Sequence, residues 1–269
     1  SEMRPEINIS SAFPLTADKS LSTVILAHGS LDTQSHDRNH DGFRDLPKTN
    51  QINIANKWLW QSLGGTQIRW GWKYVDENRL SGEKAYKKSM REEMEQSLST
   101  YGSHMDNTGV NAYFKLGTPV GAAVYDSETE EEYRSNIAFV ADYNYFKEDA
   151  YFGLNDYNGH DHAWWFNFSY AHYFSPRSSL IVGASASITN SDEKILNNVV
   201  LADKERWSGT THNKMDFFEP GVYAEYTYNI KEKFSLVLGL RGDYMGAKND
   251  VAAPSVDATY PSAYFTPKS

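Results

Sequence analysis

The residues best suited to chemistry lie in the stretch HDRNHDGFRDLPKTNQ, from His36 to Gln51. It places Asp37, Asn39, Asp41, Gly42 and Asp45 at near-alternate positions. An EF-hand loop takes calcium-binding oxygens from its first, third, fifth, seventh and ninth positions, with glycine at the sixth and a bidentate glutamate at the twelfth. The corresponding groups here are Asp37, Asn39, Asp41, the Phe43 carbonyl and Asp45, with Gly42 at the sharp turn. The twelfth position is Lys48, which cannot ligate calcium. Asp76, Glu77 and Glu83 are candidates to supply the missing carboxylate from an adjacent strand pair. The pattern predicts a Ca2+ site. A turn rich in Asp, Asn and Gly, held by its own side-chain hydrogen bonds, accounts for the same residues. The following segment, INIANKWLWQS, is not the helix an EF-hand requires.

A second cluster is NGHDHAWW, where His160, Asp161 and His162 stand at a strand entrance. An Asp-His pair can serve in catalysis, and two histidines can hold a metal from one side. Two ligands do not close a metal site, so polar loop residues are the simpler reading. There is no Gly-x-Ser-x-Gly elbow, P-loop or His-Glu-x-x-His motif. No enzymatic activity is expected.

The elements that must position these residues are strands. In QIRWGWKY, Ile68, Trp70, Trp72 and Tyr74 alternate with Gln67, Arg69, Gly71 and Lys73. In INIANKWLW, Ile52, Ile54, Trp58 and Trp60 share a face, with Asn56 as the flaw in the row. WWFNFSYAHYF, SLIVGASASI and KFSLVLGLRGDY alternate in the same way. Side chains alternate across a strand, so each segment has one apolar face and one polar or small face. About ten strands are predicted, starting near residues 6, 21, 51, 67, 109, 136, 162, 178, 217 and 234. Short turns such as TADKS, SLGGT, FSPRS and NIKEK alternate with long polar connections at 35–50, 79–108 and 189–216. Tyr170, Tyr173, Phe174, Tyr226, Tyr228 and Tyr244 fall near strand ends, as interfacial girdles do. The expected fold is all-β, an antiparallel transmembrane β-barrel. In GEKAYKKSMREEMEQSLS, Tyr86, Met90, Met94 and Leu98 lie at helical spacing, so a short helix packed within a long loop is expected.

Composition narrows the alternatives. The 269 residues include 18 Tyr, 13 Phe and 7 Trp in a chain with a formal net charge of -9. That acidity disfavours nucleic acid, whose phosphates need clustered cations. Without cysteine there are no thiolate metal sites or disulfides. No run approaches the roughly 20 apolar residues of a spanning helix. The start, SEMRPEINIS, carries no signal peptide, and both ends read as cuts through a longer polypeptide.

The series RPEINISSAFPL, HDRNHDGFRDLP, QINIANKWLW and RWGWKYVDENRLSGE resembles the early barrel of TonB-dependent outer-membrane receptors, especially those of Bacteroidetes-type bacteria. GVNAYFKLGTPV, EPGVYAEYTYNIKEKFSLVLGLRGDYMGA and YFTPKS resemble later strands of that family. The resemblance spans residues 1–269 and implies part of a larger barrel of about 22 strands, without its plug domain. It implies an outer-membrane location, lipid contact, coupling to TonB through a plug, and import of a large nutrient such as a corrinoid (cobalamin) or a ferric chelate (siderophore). The family's cobalamin transporters carry a calcium-binding loop on early strands, and Asp37, Asn39, Asp41 and Asp45 look like that feature. Two alternatives stay open: a complete ten-stranded outer-membrane barrel, either an omptin-like protease or a porin, and a soluble calcium-binding β-module.

Overall fold

A computed structural model describes residues 4–98, 100–200, 206–230 and 233–256. Eleven strands form one antiparallel sheet: β1 (Glu6–Pro14), β2 (Leu21–Asp32), β3 (Lys48–Gln61), β4 (Gln67–Gly82), β5 (Gly102–Asp126), β6 (Glu131–Phe152), β7 (Asn155–Ser175), β8 (Ser178–Val200), β9 (Arg206–Ile230), β10 (Phe234–Asp243) and β11 (Gly246–Val256). Each of β1 to β10 pairs with its neighbours in chain order, and β11 pairs with β9 beside β10.

The last two strands occupy one position. Asp243 stands opposite Gly221 and Gly246 opposite Phe218, so the register on β9 is unbroken between them. The interruption falls at Tyr244 and Met245. Tyr244 N–H donates to the Pro220 carbonyl at 2.9 Å. Pro220 has no N–H to return that bond, which is why the ladder lapses there. The sheet therefore fills ten strand positions, the expected number.

Five strand starts coincide with expectation, at Glu6, Leu21, Gln67, Ser178 and Phe234. The other five begin earlier than predicted; for β5 and β9 the reason is that strand extends into two of the three expected long loops, over part of 79–108 and most of 189–216. β4 runs to Gly82 and β5 starts at Gly102, while β8 runs to Val200 and β9 starts at Arg206. Beyond the apolar band both faces are polar, so hydrophobic alternation stops while the backbone ladder continues. Only the β2–β3 connection keeps close to its expected span.

The register separates two faces, since directly opposite residues lie on the same side. One row runs Trp60, Ile68, Leu116, Phe139, Phe168, Ala184, Val222. A row on the other side runs Lys57, Gly71, Tyr113, Asp142, Trp165, Ser187, Glu219. The first face is the apolar one. A polar flaw in it, Asn56, donates to Thr23 Oγ1 at 2.8 Å and to the Val24 carbonyl at 2.9 Å, so its amide hydrogens do not face hydrocarbon unpaired.

Along several strands of the apolar face, apolar or aromatic side chains give way to polar and charged ones. Tyr74 is followed by Asp76 on β4, Tyr145 by Lys147 and Asp149 on β6, and Ile188 by Asn190 and Asp192 on β8. Tyr143 and Trp164 meet at 4.2 Å in this border, and Trp164 stacks on Phe166 at 6.1 Å. At the short-turn end, Tyr226 shares a 3.0 Å hydrogen bond with Ser178. An apolar band edged by aromatic side chains is the outer surface of a membrane barrel.

Among the described residues no water-hidden core lies between two layers. Their buried hydrophobic members are Ala55, Tyr86, Met94 and Ala150, whereas Phe168, Val222, Leu238 and many others are exposed. A soluble β-sandwich would cover its apolar face with a second sheet. No helix among the described residues is long and apolar enough to cross a membrane, which says nothing of strands.

Candidate extracellular mouth and inner wall

The strand ends with the longer connections carry a docked cap built from two loops. The first is the β2–β3 connection, residues 33–47. The second joins β4 to β5 and contains a 3-10 turn, Lys88–Met90, running into helix α1, Arg91–Ser97. The helix is short, and Glu92 and Glu93 in its first turn complement its dipole. Of the expected stripe, Tyr86 and Met94 are buried, at 0% and 2% exposure, while Leu98 caps the helix in a left-handed conformation and is exposed.

Tyr86 occupies the space above Gly102. A Cβ at Gly102 would lie 2.0 Å from the Tyr86 ring, so only glycine permits this seat. The Tyr86 hydroxyl pairs with Tyr151 at 2.8 Å. Burial first, and this hydrogen bond second, push the Tyr151 phenol well above its usual value. Arg91 lies 4.0 Å over the Tyr151 ring, donates to the Gly153 carbonyl at 3.0 Å and pairs with Asp156 at 2.8 Å.

Arg44 joins the two loops. Its guanidinium donates to Ser35 Oγ at 3.2 Å and to the carbonyls of Ser81, Lys84 and Tyr86 at 3.4, 3.1 and 2.5 Å. The backbone repeats the link, with Arg44 N–H donating to the Gly82 carbonyl and Lys84 N–H to the Gly42 carbonyl. Burial lowers the Arg44 pKa from 12.5. An arginine nonetheless stays charged at neutral pH.

The calcium-type residues lie in the first loop, and their oxygens face the loop itself. Asp41 Oδ1 accepts the Phe43 N–H at 2.8 Å, and Asp41 Oδ2 accepts the Asn39 amide at 2.9 Å. Asp45 Oδ2 accepts the Arg38 N–H at 2.8 Å. Phe43 bridges to Glu83 through backbone, and Gly42 has φ of 87°. Asp37 Oδ1 is buried without a hydrogen-bond partner. One orphan oxygen is far from the six to eight that calcium takes. The expected completing carboxylates are engaged elsewhere. Asp76 accepts from the Tyr74 and Thr108 hydroxyls on the apolar side, Glu77 pairs with Arg79, and Glu83 accepts the Tyr101 N–H. Among the described residues no three His, Asp or Glu side chains converge as a metal would need. In this geometry the donor set does not fit an ion, and the turn is held by its own hydrogen bonds.

The second sequence cluster is divided by strand alternation. His160 and His162 lie on the apolar side of β7, with rings 5.8 Å apart, and His162 Nδ1 meets the Tyr143 hydroxyl at 2.9 Å. Asp161 lies on the opposite side, level with Phe146 and Ser191. Adjacent residues of a strand cannot face one another, so Asp161 and His162 form no dyad.

The polar side of the sheet is the inner wall. Towards β10 its groups are paired: Arg241 binds Asp243 at 2.7 Å and Ser185 at 3.1 Å, and Asn167 donates to Tyr223 Oη at 3.1 Å. Towards β3 it carries cations, of which the sequence pattern alone places Arg69 and Lys73 on one polar face. The spacing Lys57, Arg69, Lys73, Lys115 joins into a pattern only once the register is known.

Comparison with curated proteins and with solved structures returns no match for this chain. Comparison with protein families matches residues 121–267. That span covers more than half of the chain and includes β6 to β11, the strands whose two-faced character is clearest. With its apolar outer face, aromatic border and polar inner wall, the chain belongs to the outer membrane protein beta-barrel family and is a protein of the bacterial outer membrane.

Proposed function

We propose that this chain is part of the wall of a TonB-dependent importer that carries a large nutrient, a corrinoid or a ferric chelate, across the outer membrane. The observation that carries the reading is the open sheet. Among the described residues β1 and the β10–β11 position are not paired with one another. Open edges in a bilayer leave backbone groups unsatisfied, which hydrocarbon does not tolerate. A sheet of ten positions that stays open is readily understood as an arc of a wider barrel. The docked cap supports the reading, since a structured mouth suits capture of a bulky solute better than free diffusion. The resemblance of the early strands to TonB-dependent receptors supports it further. TonB would be reached through a plug supplied elsewhere in the polypeptide.

A ten-stranded barrel that closes on itself is the second reading, favoured by the count of ten positions. Within it, a porin suits the structure better than a protease, because the Asp161 and His162 side chains point to opposite faces. The deciding experiment is an immunoblot of outer membranes with an antibody to this segment. A band more than twice the 30.5 kDa of this chain, with uptake lost when TonB is deleted, supports the importer. A band near 30.5 kDa overturns it.

A further inference from the structure

We infer that the inner wall formed by β3, β4 and β5 binds a small polyanionic solute, one that presents phosphate or carboxylate groups, through Lys57, Arg69, Lys73 and Lys115 around the floor at Gly71. The inference needs only an aqueous inner face, so it stands apart from the importer reading.

The register builds the site. Gly71 is flanked along β4 by Arg69 and Lys73, on the same face two residues either way. Directly opposite Gly71 are Lys57 on β3 and Tyr113 on β5, and directly opposite Arg69 is Lys115. Diagonal neighbours on one face of a sheet lie about 7–8 Å apart, within reach of long side chains. Four cations thus surround one glycine. The centre is kept flat: a Cβ at Gly71 would lie 2.7 Å from the Asn56 carbonyl and 3.0 Å from the Tyr113 ring. The ring of Tyr113 lies beside this floor, with the Lys115 ammonium 5.8 Å from its centroid.

These cations are distinctive because four of them lie together without counter-ions. Several basic side chains elsewhere on the strands are matched, as Arg79 with Glu77, Lys147 with Asp149, Lys214 with Asp192 and Arg241 with Asp243. Lys57, Arg69, Lys73 and Lys115 make no ion pair among the described residues, and all four are exposed. The carboxylate nearest in register, Asp142 opposite Tyr113, accepts amide hydrogen bonds from Asn111 at 3.1 Å and Asn144 at 2.5 Å instead. Like charges directly across a ladder, as Arg69 and Lys115 are, destabilise a sheet. Such a cluster in a chain of net charge -9 is not a product of composition. A recess of about 710 Å³ adjoins it, reaching Lys57, Lys73, Tyr113, Asn53, His28 and Asn8. That volume suits a small solute. Field focusing by a one-sign wall would raise the local concentration of anions.

The test uses the full native polypeptide purified in detergent, with pyrophosphate and citrate as probes in titration calorimetry at low ionic strength. The wild type is expected to bind, and to weaken steeply as salt is added. The double variant Lys57→Gln, Lys73→Gln is expected to bind at least about tenfold more weakly. The outer-face control Lys214→Gln, Lys248→Gln is expected to match the wild type. Heat-modifiable migration on gels verifies that each variant is folded; if the double variant is not, Arg69→Gln alone takes its place with a smaller loss. Equal binding by all three proteins overturns the proposal. So does absence of binding by the wild type, the outcome expected if an acidic protein segment covers this wall. Because TonB takes no part, a 30.5 kDa band would overturn the importer and leave this result untouched.

Discussion

Replacing Arg44 by methionine should release the extracellular cap while leaving the barrel wall intact. Methionine keeps an unbranched apolar stem of similar reach and removes every guanidinium hydrogen bond. Four acceptors lose their donor: Ser35 Oγ and the carbonyls of Ser81, Lys84 and Tyr86. The Ser81 contact, at 3.4 Å, is weak, so the loss is dominated by Lys84 and Tyr86. Hydrogen bonds to a charged group contribute about 1.5–3 kcal/mol each, and part of that is offset because a partly desolvated cation is no longer held in the protein. A net loss of about 3 kcal/mol in the local opening free energy follows, or roughly a hundredfold in the opening constant.

Hydrogen-exchange mass spectrometry reads this directly. The amides of Arg44 and Lys84 donate across the two loops and should lose about a hundredfold in protection. Peptides from β7 and β8 should be unchanged, because their ladders do not involve the cap. Arg44→Lys should recover only a fraction, since an ammonium lacks the planar fork that reaches several carbonyls at once. Unchanged protection in the cap, or a uniform loss over cap and wall, would refute the reasoning.

Other expectations follow from the same geometry. Tyr86→Ala empties the seat above Gly102 and should cost about 3–5 kcal/mol of local stability, against about 1 kcal/mol for Tyr86→Phe, measured by limited proteolysis of the β4–β5 loop. In the full polypeptide, Phe168→Arg places a cation on the lipid face and should cost about 2–4 kcal/mol in folding into vesicles, whereas Ser169→Arg on the inner face should cost far less. On the β8–β9 ladder, the hydrogen bond from Lys214, then that from His212, holds the Asp192 carboxyl below its ordinary 3.8. The contribution is present in full above 3.8 and is lost as pH falls through the lower folded value, so exchange around Asp192 should rise only in strong acid, and Lys214→Met should weaken that dependence while His212 keeps part of it. Chelation of calcium should leave exchange in the β2–β3 loop unchanged; protection that grows with added calcium would overturn the account of Asp41 and Asp45 as ligands of their own amides.

The wall was legible because lipid imposes a strict period of two. Ile68, Trp70, Trp72 and Tyr74 announce an outer face whatever lies around them. The extensions above the bilayer were not legible, because Asn190, Asp192, Lys194 and their partners satisfy no apolar rule. Their signal is pairing across strands, Asp192 with Lys214 and Asn190 with Asp216, which appears only when two segments are aligned. Two short-range readings rest on sequence spacing, which leaves side-chain direction open. Asp161 and His162 looked like partners because they are adjacent, yet adjacency in a strand guarantees opposite faces. Asp37 to Asp45 looked like a coordination loop because spacing was right, yet spacing does not say whether a carboxylate turns outward to an ion or inward to an amide. The cap was half legible: Tyr86 and Met94 pack as the stripe requires, and Leu98 leaves it where the helix stops.

In a wall one strand thick, burial and charge carry unusual information. Most apolar side chains here meet lipid and need no protein neighbour, so Tyr86 and Met94, closed off completely, mark a place where the protein orders itself without the bilayer. Many charged side chains have a partner along their strand or across the ladder, so Lys57, Arg69, Lys73 and Lys115, which have no ion pair among the described residues, mark a place where the wall accepts repulsion. The first place stands at the mouth and the second on the inner face below it. A solute that enters past the cap meets four unneutralised cations arranged around a flat floor. That sequence of encounters follows from the register alone, and it makes the charge of the solute, rather than its size, the property most worth varying first.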